Sequence, residues 1–399
     1  MPKHRGTGFE EAWEDRDECY SPHIPFARRM QTCIQRFRSR RRLQGQLSNY
    51  FNQYLFLGGV DTTPNTHGGW DPKALKESFS PAERRDILAT DVIHSGDGAD
   101  ERFYNGNDEN WCVDFTGVAA GFLCNSLVAM TALQCDEMHN AISVVENFLN
   151  YIFYHDVCPE FEEDVLQAMD VCKLAREEWP MITQMLLDVP GDFNLAAAEL
   201  FSEVRSDDWS FTDFKRREDF NSRAVFYSAL ATADNNILFH NVCRDDLELI
   251  REFDVALEFV HIVRPTLNIV QRFDMTVFKA DEAEFTLKAI GKATVKSTTI
   301  RDGWDHPDVP SPIAGKTIDL YFEDHILAQM KPGMKIIARL GEMSGGFFFL
   351  KTISKVVPSF YTFLPQEMMM HYQRPRENER PAPSIHDSVG LGADGEQAE

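Results

Sequence analysis

The spacing of apolar residues changes period once along the chain, and that change limits the fold more than any other feature. Up to about residue 245, apolar side chains recur at steps of three and four, the spacing of one buried helix face. Past Asp246 they come instead in β-branched and aromatic runs separated by turns. Met30, Ile34 and Phe37, then Leu47, Tyr50, Phe51 and Tyr54, form a helical stripe broken near Gly45 and stopped by Gly58 and Gly59. Val118, Phe122 and Leu123 open a further helix. Met138, Ile142, Val145, Leu149 and Ile152 predict a second, with Asp136 as its cap, and Phe161, Val165, Met169 and Leu174 a third. Leu186 and Leu187 close a shorter piece after Pro180; Asp192 caps Phe193–Phe201, and another helix runs through Arg223–Ala231. The predicted strands are Val255–Val263, Phe285–Ile290, Ala293–Ile300, Ile318–Phe322, Lys335–Leu340, Phe347–Ile353 and Phe360–Leu364, with Ser344-Gly345-Gly346 as a hairpin connection. The expected class is α+β, a helical N-terminal part followed by a β-rich C-terminal module and a disordered tail.

Boundaries follow from punctuation and composition. Residues 1–23 read as a flexible segment, 24–60 as an arginine-rich helix, and 61–112 as a long connection. Within that connection one short helix fits, with Ser80 as N-cap, Pro81 at the first helical position and Glu83 at the third. Residues 113–245 read as a helical domain, 246–372 as a β-rich domain and 373–399, rich in Pro, Gly and charge, as a disordered tail. Whether 246–372 folds alone or is wrapped with the helices into one body stays open at this level. An apolar fraction of 43% with 30 Phe excludes a wholly disordered chain.

Charge narrows the partners. With 40 Lys plus Arg against 63 Asp plus Glu, the net charge of −23 repels bulk nucleic acid, so an RNA contact needs a local basic patch. One exists. Between His23 and Val60 there is no acidic residue, and Arg28, Arg29, Arg36, Arg38, Arg40, Arg41 and Arg42 fall on what the helical period makes the face opposite the apolar stripe. One reading is a solvated face whose arginines lie over their own apolar stripe. The other is a surface for phosphates or an acidic partner, with Arg36, Arg38, Arg40, Arg41 and Arg42 as its candidates. A nuclear-import role for Arg38–Arg42 is weakened by the absence of lysine. No apolar run approaches a bilayer-spanning length and no secretory signal heads the chain, so an intracellular protein without membrane contact is expected. The eight cysteines contain no Cys-x-x-Cys pair, which argues against a zinc ribbon and for reduced thiols.

Chemical motifs fail on inspection. Gly315-Lys316-Thr317 ends like a phosphate-binding loop, but Pro310 stands where the leading glycine belongs and offers no backbone N–H. Gly96-Asp97-Gly98 lacks the third glycine of a dinucleotide fingerprint, and His94, Asp97 and Asp100 read as turn residues rather than metal ligands. His139, His155, His240 and His261 are candidate bases without a nucleophile at a recognisable spacing. Catalytic residues, metal ligands and cofactors are therefore all expected to be none. An enzyme with an unrecognised site at the helical–β junction, and a single-stranded RNA binder stacking bases on Phe347, Phe348 and Phe349, remain as alternatives.

Residue strings add a resemblance. Arg5-Gly6-Thr7-Gly8-Phe9-Glu10-Glu11, Pro25-Phe26, Cys33-Ile34-Gln35-Arg36-Phe37-Arg38 with Arg40-Arg41-Arg42, and Tyr54-Leu55-Phe56-Leu57-Gly58-Gly59 come in this order. Asn147-Phe148-Leu149-Asn150-Tyr151, His155-Asp156-Val157-Cys158-Pro159-Glu160, Pro190-Gly191-Asp192-Phe193-Asn194 and Pro358-Ser359-Phe360-Tyr361 with Leu364-Pro365 follow. Together they resemble the Argonaute siRNA chaperone (ARC) complex subunit family, the first of its two Argonaute-binding proteins. The resemblance implies a non-enzymatic protein that binds Argonaute carrying duplex siRNA, holds back passenger-strand cleavage and release, and works with the second Argonaute-binding subunit. It further implies a role in small-RNA-directed heterochromatin formation, in nucleus and cytoplasm, and a use for the arginine helix against RNA. Argonaute partners resemble one another in offering tryptophan beside glycine from loops, which singles out Trp70 and, second to it, Trp304.

Overall fold

The computed structural model describes residues 19–41, 43–62, 102–104, 109, 111–203, 216, 220–233, 247–274, 277–280, 283–286, 288–305, 310–344 and 346–373. Residues 1–18 of the flexible segment expected over 1–23, the short helix after Ser80, His94, Asp97, Asp100, His240 and the expected tail from 374 lie outside the described residues, whereas Tyr20 of that segment is buried in the core.

The chain begins with α1 (Phe26–Arg41) and α2 (Gln46–Leu57), which turn on Gly45 at φ 57°. Gly59 ends α2 at φ 76°, its N–H on Phe56 O at 2.9 Å, and any Cβ there would lie 2.2 Å from the Trp111 ring. Asp114 caps α3 (Phe115–Gly121) by accepting Gly117 N–H at 2.6 Å; the helix continues through a π-turn at Phe122–Ser126 into α4 (Leu127–Thr131). Next, α5 (Cys135–Tyr154) starts one residue before Asp136, so that carboxylate sits in the first turn, favoured by the helix dipole, rather than at the cap. The break expected at Pro180 is absent, because α6 (Glu162–Asp188) runs unbroken through it. Buried Trp179 and Ile182 flank the proline, and Trp179 Nε1–H donates to Leu123 O at 2.9 Å, so packing outweighs the missing backbone bond. Likewise α7 (Gly191–Phe201) takes in Asp192 in its first turn, and α8 (Ser222–Thr232) is capped by Asn221, which accepts Ala224 N–H at 3.0 Å.

Five antiparallel strands follow in the order β5-β4-β1-β6-β7: β1 (Leu249–Val263), β4 (Ile290–Ser297), β5 (Thr317–Glu323), β6 (Lys335–Met343) and β7 (Phe348–Val357). Between β1 and β4 lie helix α9 (Leu267–Asp274) and a separate hairpin of β2 (Val277–Ala280) and β3 (Ala283–Thr286). The predicted strand Phe285–Ile290 thus falls on two strands, its start in β3 and Ile290 in β4. A short α10 (Asp324–Leu327) follows β5, and a 3-10 turn, Pro365–His371, comes last. Phe360–Leu364 is not a strand. It lies on the helices, where Cys124 Sγ–H donates to Phe360 O at 3.7 Å and Leu364 fills the space a Gly121 side chain would need, 2.4 Å from an ideal Cβ.

Side-chain alternation along the strands builds two cores. Leu257, Phe259, Val295, Leu320, Phe322, Ile336, Leu340 and Leu350 share one apolar cluster with Phe37, Phe51, Phe122, Val145 and Phe148 of the helices. Phe193, Phe226, Ile290, Tyr321, Phe347 and Phe349 form the other, under α7 and α8. Phe347, Phe348 and Phe349 are therefore all buried, on alternate sides of β7, and none offers a face for base stacking.

The sheet curls until its edge strands β5 and β7 approach each other. Asn194 of α7, with no exposed surface, stands in the seam: its Nδ2 donates to Tyr321 O at 2.9 Å on β5 and to Pro190 O at 3.1 Å, and its Oδ1 accepts Leu350 N–H at 2.9 Å on β7. Next to it Glu323, also buried, accepts Phe193 N–H at 2.6 Å. Two predictions follow from the seam. Asn194→Ala strands buried main-chain groups on both edges and is expected to cost about 3 kcal/mol in urea unfolding, with faster hydrogen exchange at Leu350. Burial, reinforced by Asp192 and opposed by the Phe193 N–H, pushes the Glu323 carboxyl from 4.5 up to about 7. A raised carboxyl stabilises the fold fully below its unfolded value, and that contribution is lost as pH rises through the folded one. Stability should therefore fall by about 3 kcal/mol between pH 4.5 and 7, and Glu323→Gln should flatten that slope in denaturation measured at both ends.

Candidate partner-binding surface

Helix α1 buries Met30, Cys33, Ile34 and Phe37, and its arginines divide around that stripe rather than sharing one face. Arg29, expected on the outer face, is buried. Its guanidinium donates to Ile24 O at 3.0 Å, to Val157 O at 2.6 Å and to both carboxylate oxygens of Glu160. A step of one residue from Met30 brings Arg29 to the rim of the stripe, where the loop after α5 supplies a carbonyl. Hydrogen bonding from Arg29 holds the Glu160 carboxyl below its ordinary value.

Arg36 and Arg38 are half-buried, and at 100° per residue they flank the stripe on opposite sides. Arg38 donates to Asn52 Oδ1 at 2.6 Å and stacks over the Phe51 ring at 5.3 Å, which ties α1 to α2. Arg41 is exposed, with its guanidinium 6.0 Å from the Phe37 ring centre. Arg28, next to the buried Arg29, is exposed. The side chain of Arg40, and Arg42 and Trp70 altogether, lie outside the described residues. Behind the helix, Met30, Ile34, Tyr54, Trp111 and Phe115 wall an apolar cavity of about 190 Å³. Thus α1 offers cations at its outer side and its C-terminal end, while its inner side is core.

Trp304, by contrast, is 69% exposed. Its main-chain N–H donates to Asp302 Oδ1 at 3.1 Å, and Gly303 at φ 87° packs so closely on Phe363 that a Cβ would lie 2.3 Å from the ring. Glycine is required there, and it sets the indole on the outside of the turn.

His155 is buried at the end of α5, its ring stacked on Tyr151 at 4.0 Å. His139 is exposed beside Arg176, and the neighbouring Ser143 donates its hydroxyl to His139 O at 2.7 Å, so that serine is bonded to main chain rather than activated by the imidazole. Lys316 ends the turn before β5, and Thr317 is the first residue of that strand. Among the described residues no three His, Cys, Asp or Glu side chains gather to hold a metal ion, and no helix is long and apolar enough to cross a membrane. Seven described cysteines are free thiols, and burial pushes Cys158 and Cys172 each up to about 12.

Sequence reasoning missed Asn194, Glu178 and Glu323. Glu178 of α6 is buried and accepts both Ser359 N–H at 2.8 Å and Ser359 Oγ–H at 2.7 Å, fastening the segment after β7 to the helices. The only sequence signal was the string around each of Asn194 and Ser359.

Residues 5–375 match the Argonaute siRNA chaperone (ARC) complex subunit Arb1 family, and the chain belongs to it. It is 26% identical over 230 residues to a protein of Schizosaccharomyces pombe named Argonaute-binding protein 1. That similarity covers 56% of this chain and 54% of the yeast protein, so the chain spans about half the length of the curated relative it matches. No solved structure matches the chain.

The two classes of arginine are separable. Arg29→Gln removes a buried cation from two carbonyls and a carboxylate and is expected to cost about 3 kcal/mol. Arg41→Gln should change stability by less than about 1 kcal/mol. Thermal melts of the two single variants check the difference, and equal losses would put Arg41 in the core framework as well.

Proposed function

We propose that this chain is a non-catalytic, Argonaute-binding subunit of an siRNA chaperone complex. It holds Argonaute loaded with duplex siRNA, restrains passenger-strand cleavage and release, and works with a second Argonaute-binding subunit. Its setting is small-RNA-directed heterochromatin formation, in nucleus and cytoplasm. The observation that carries this reading is family membership over residues 5–375, which takes in the helices and the sheet alike. The yeast relative, an Argonaute-binding protein, supports the partner.

Physical chemistry supports where the contact falls. A chain of net charge −23 meets an RNA-loaded partner productively only through a region free of carboxylates, and α1 lies in such a stretch. We assign Arg36, Arg38, Arg40, Arg41 and Arg42 to that contact, with Trp70 and the exposed Trp304 as indole anchors. The test is capture of purified Argonaute bearing duplex siRNA, at low and high salt, with the full chain and with all five arginines changed to Gln. Capture by the variant should fall about tenfold at low salt and lose most of its salt dependence. Equal capture by a folded variant would return the helix to a solvated face, and a wild-type chain that captures no Argonaute would sink the whole reading.

A further inference from the structure

The five strands of the sheet are antiparallel throughout, so with an odd number of strands the two edges, β5 and β7, run in the same direction. A direct closure would be a parallel pair. A sixth strand running the opposite way would instead pair antiparallel with both edges at once. One peptide group of such a strand would donate its N–H to one edge and accept an N–H from the other. The Asn194 side chain does the same with a primary amide, donating to Tyr321 O on β5 and accepting from Leu350 N on β7. It occupies a single rung of a missing strand.

Toward the N-terminal ends of β5 and β7 no described residue places such a group in the seam. A groove of about 520 Å³ opens there, lined by Lys316, Thr317 and Asp319 on one side and Gly346 and Phe348 on the other. Strand alternation fixes which main-chain groups face it. Tyr321 O and Leu350 N point into the seam, so the N–H and C=O of Asp319 and Thr317, two and four residues back, and of Phe348, two back, point there too. The Phe347 carbonyl agrees, since it turns the other way to accept Met343 N–H at 2.8 Å. No described residue bridges these groups across the groove. Thr317 to Tyr321 spans about 14 Å, room for four residues of extended chain.

Charge selects among extended chains. Arg251 pairs with Glu342 at 2.6 Å and Lys292 with Asp319 at 3.0 Å, which neutralises the groove's other ions locally. Lys316 is exposed and makes no ion pair with a described residue, which leaves one cation at the mouth. We propose that this groove takes an extended peptide segment of a partner protein as a sixth strand, antiparallel to both β5 and β7, with an acidic side chain beside Lys316. The proposal is independent of whether the partner is Argonaute.

The test uses the full chain and a phage-displayed library of random heptapeptides, from which retained peptides are synthesised and their effect on residue-resolved hydrogen exchange is measured. Retained peptides should carry an Asp or Glu at one position and slow exchange at Thr317, Asp319 and Phe348 by at least about tenfold. N-methylation of alternate peptide residues should abolish binding without altering the protein. Thr317→Pro, which removes one groove-facing donor at the first residue of an edge strand, should weaken binding about fivefold. Three results overturn the proposal: no heptapeptide retained, retained peptides that leave those three amides unchanged, or amides already protected in the free chain, whether by its own residues or by a second copy.

Discussion

One primary amide holds the C-terminal half together. A curled sheet whose edges run the same way cannot close on itself with good antiparallel bonds, and two open edges in a low-dielectric interior would be costly. Asn194 resolves this by bonding to both edges from a helix that is not part of the sheet. Its position dictates the rest of that layer. With Asn194 fixed in the seam, Phe193 is set against Phe226 with ring centres 5.3 Å apart, and α7 lies across β5 and β7 with α8 packed on it and bonded to β4 through Thr232. The second core is the product of that placement.

The same logic separates the arginines at the other end of the molecule. A guanidinium within reach of a loop carbonyl and a carboxylate becomes framework, as Arg29 does. One beside an aromatic rim, such as Arg38 over Phe51, is half framework and half surface. Only where neither is near does charge remain free to act over distance. A basic stretch in an acidic chain is thus not automatically a basic face, and the part of α1 open to a partner is smaller than its composition.

Periodicity carried much of the fold. The stripes over Met30–Tyr54 and Met138–Ile152, and the runs that became β1, β5, β6 and β7, are local patterns that one face of burial imposes on a sequence. What was illegible has nonlocal causes. Pro180 stays in a helix because Trp179 is anchored to Leu123 O, a partner 56 positions away. Phe360–Leu364 reads as a strand by its aromatics yet packs on helices, since nothing in the run says that Gly121 will leave a hollow for Leu364. For the surface, the absence of acid around α1 was visible at once, whereas the burial of Arg29 depends on Val157 and Glu160. The seam was invisible, because an asparagine inside a helix carries no mark of the two strands it will join.

The clasp between Glu178 and Ser359 has a consequence for how the molecule is made. The helices that surround Gly121 and Cys124 are synthesised early, but the residues that roof them, Ser359 to Leu364, come more than two hundred positions later. During translation the helical half therefore waits with an apolar trench uncovered while every strand of the sheet is still being made. Such a chain is most exposed to aggregation and to chaperone capture just before its last stretch emerges, and its N-terminal half reaches its final surface only once the C-terminal half has arrived.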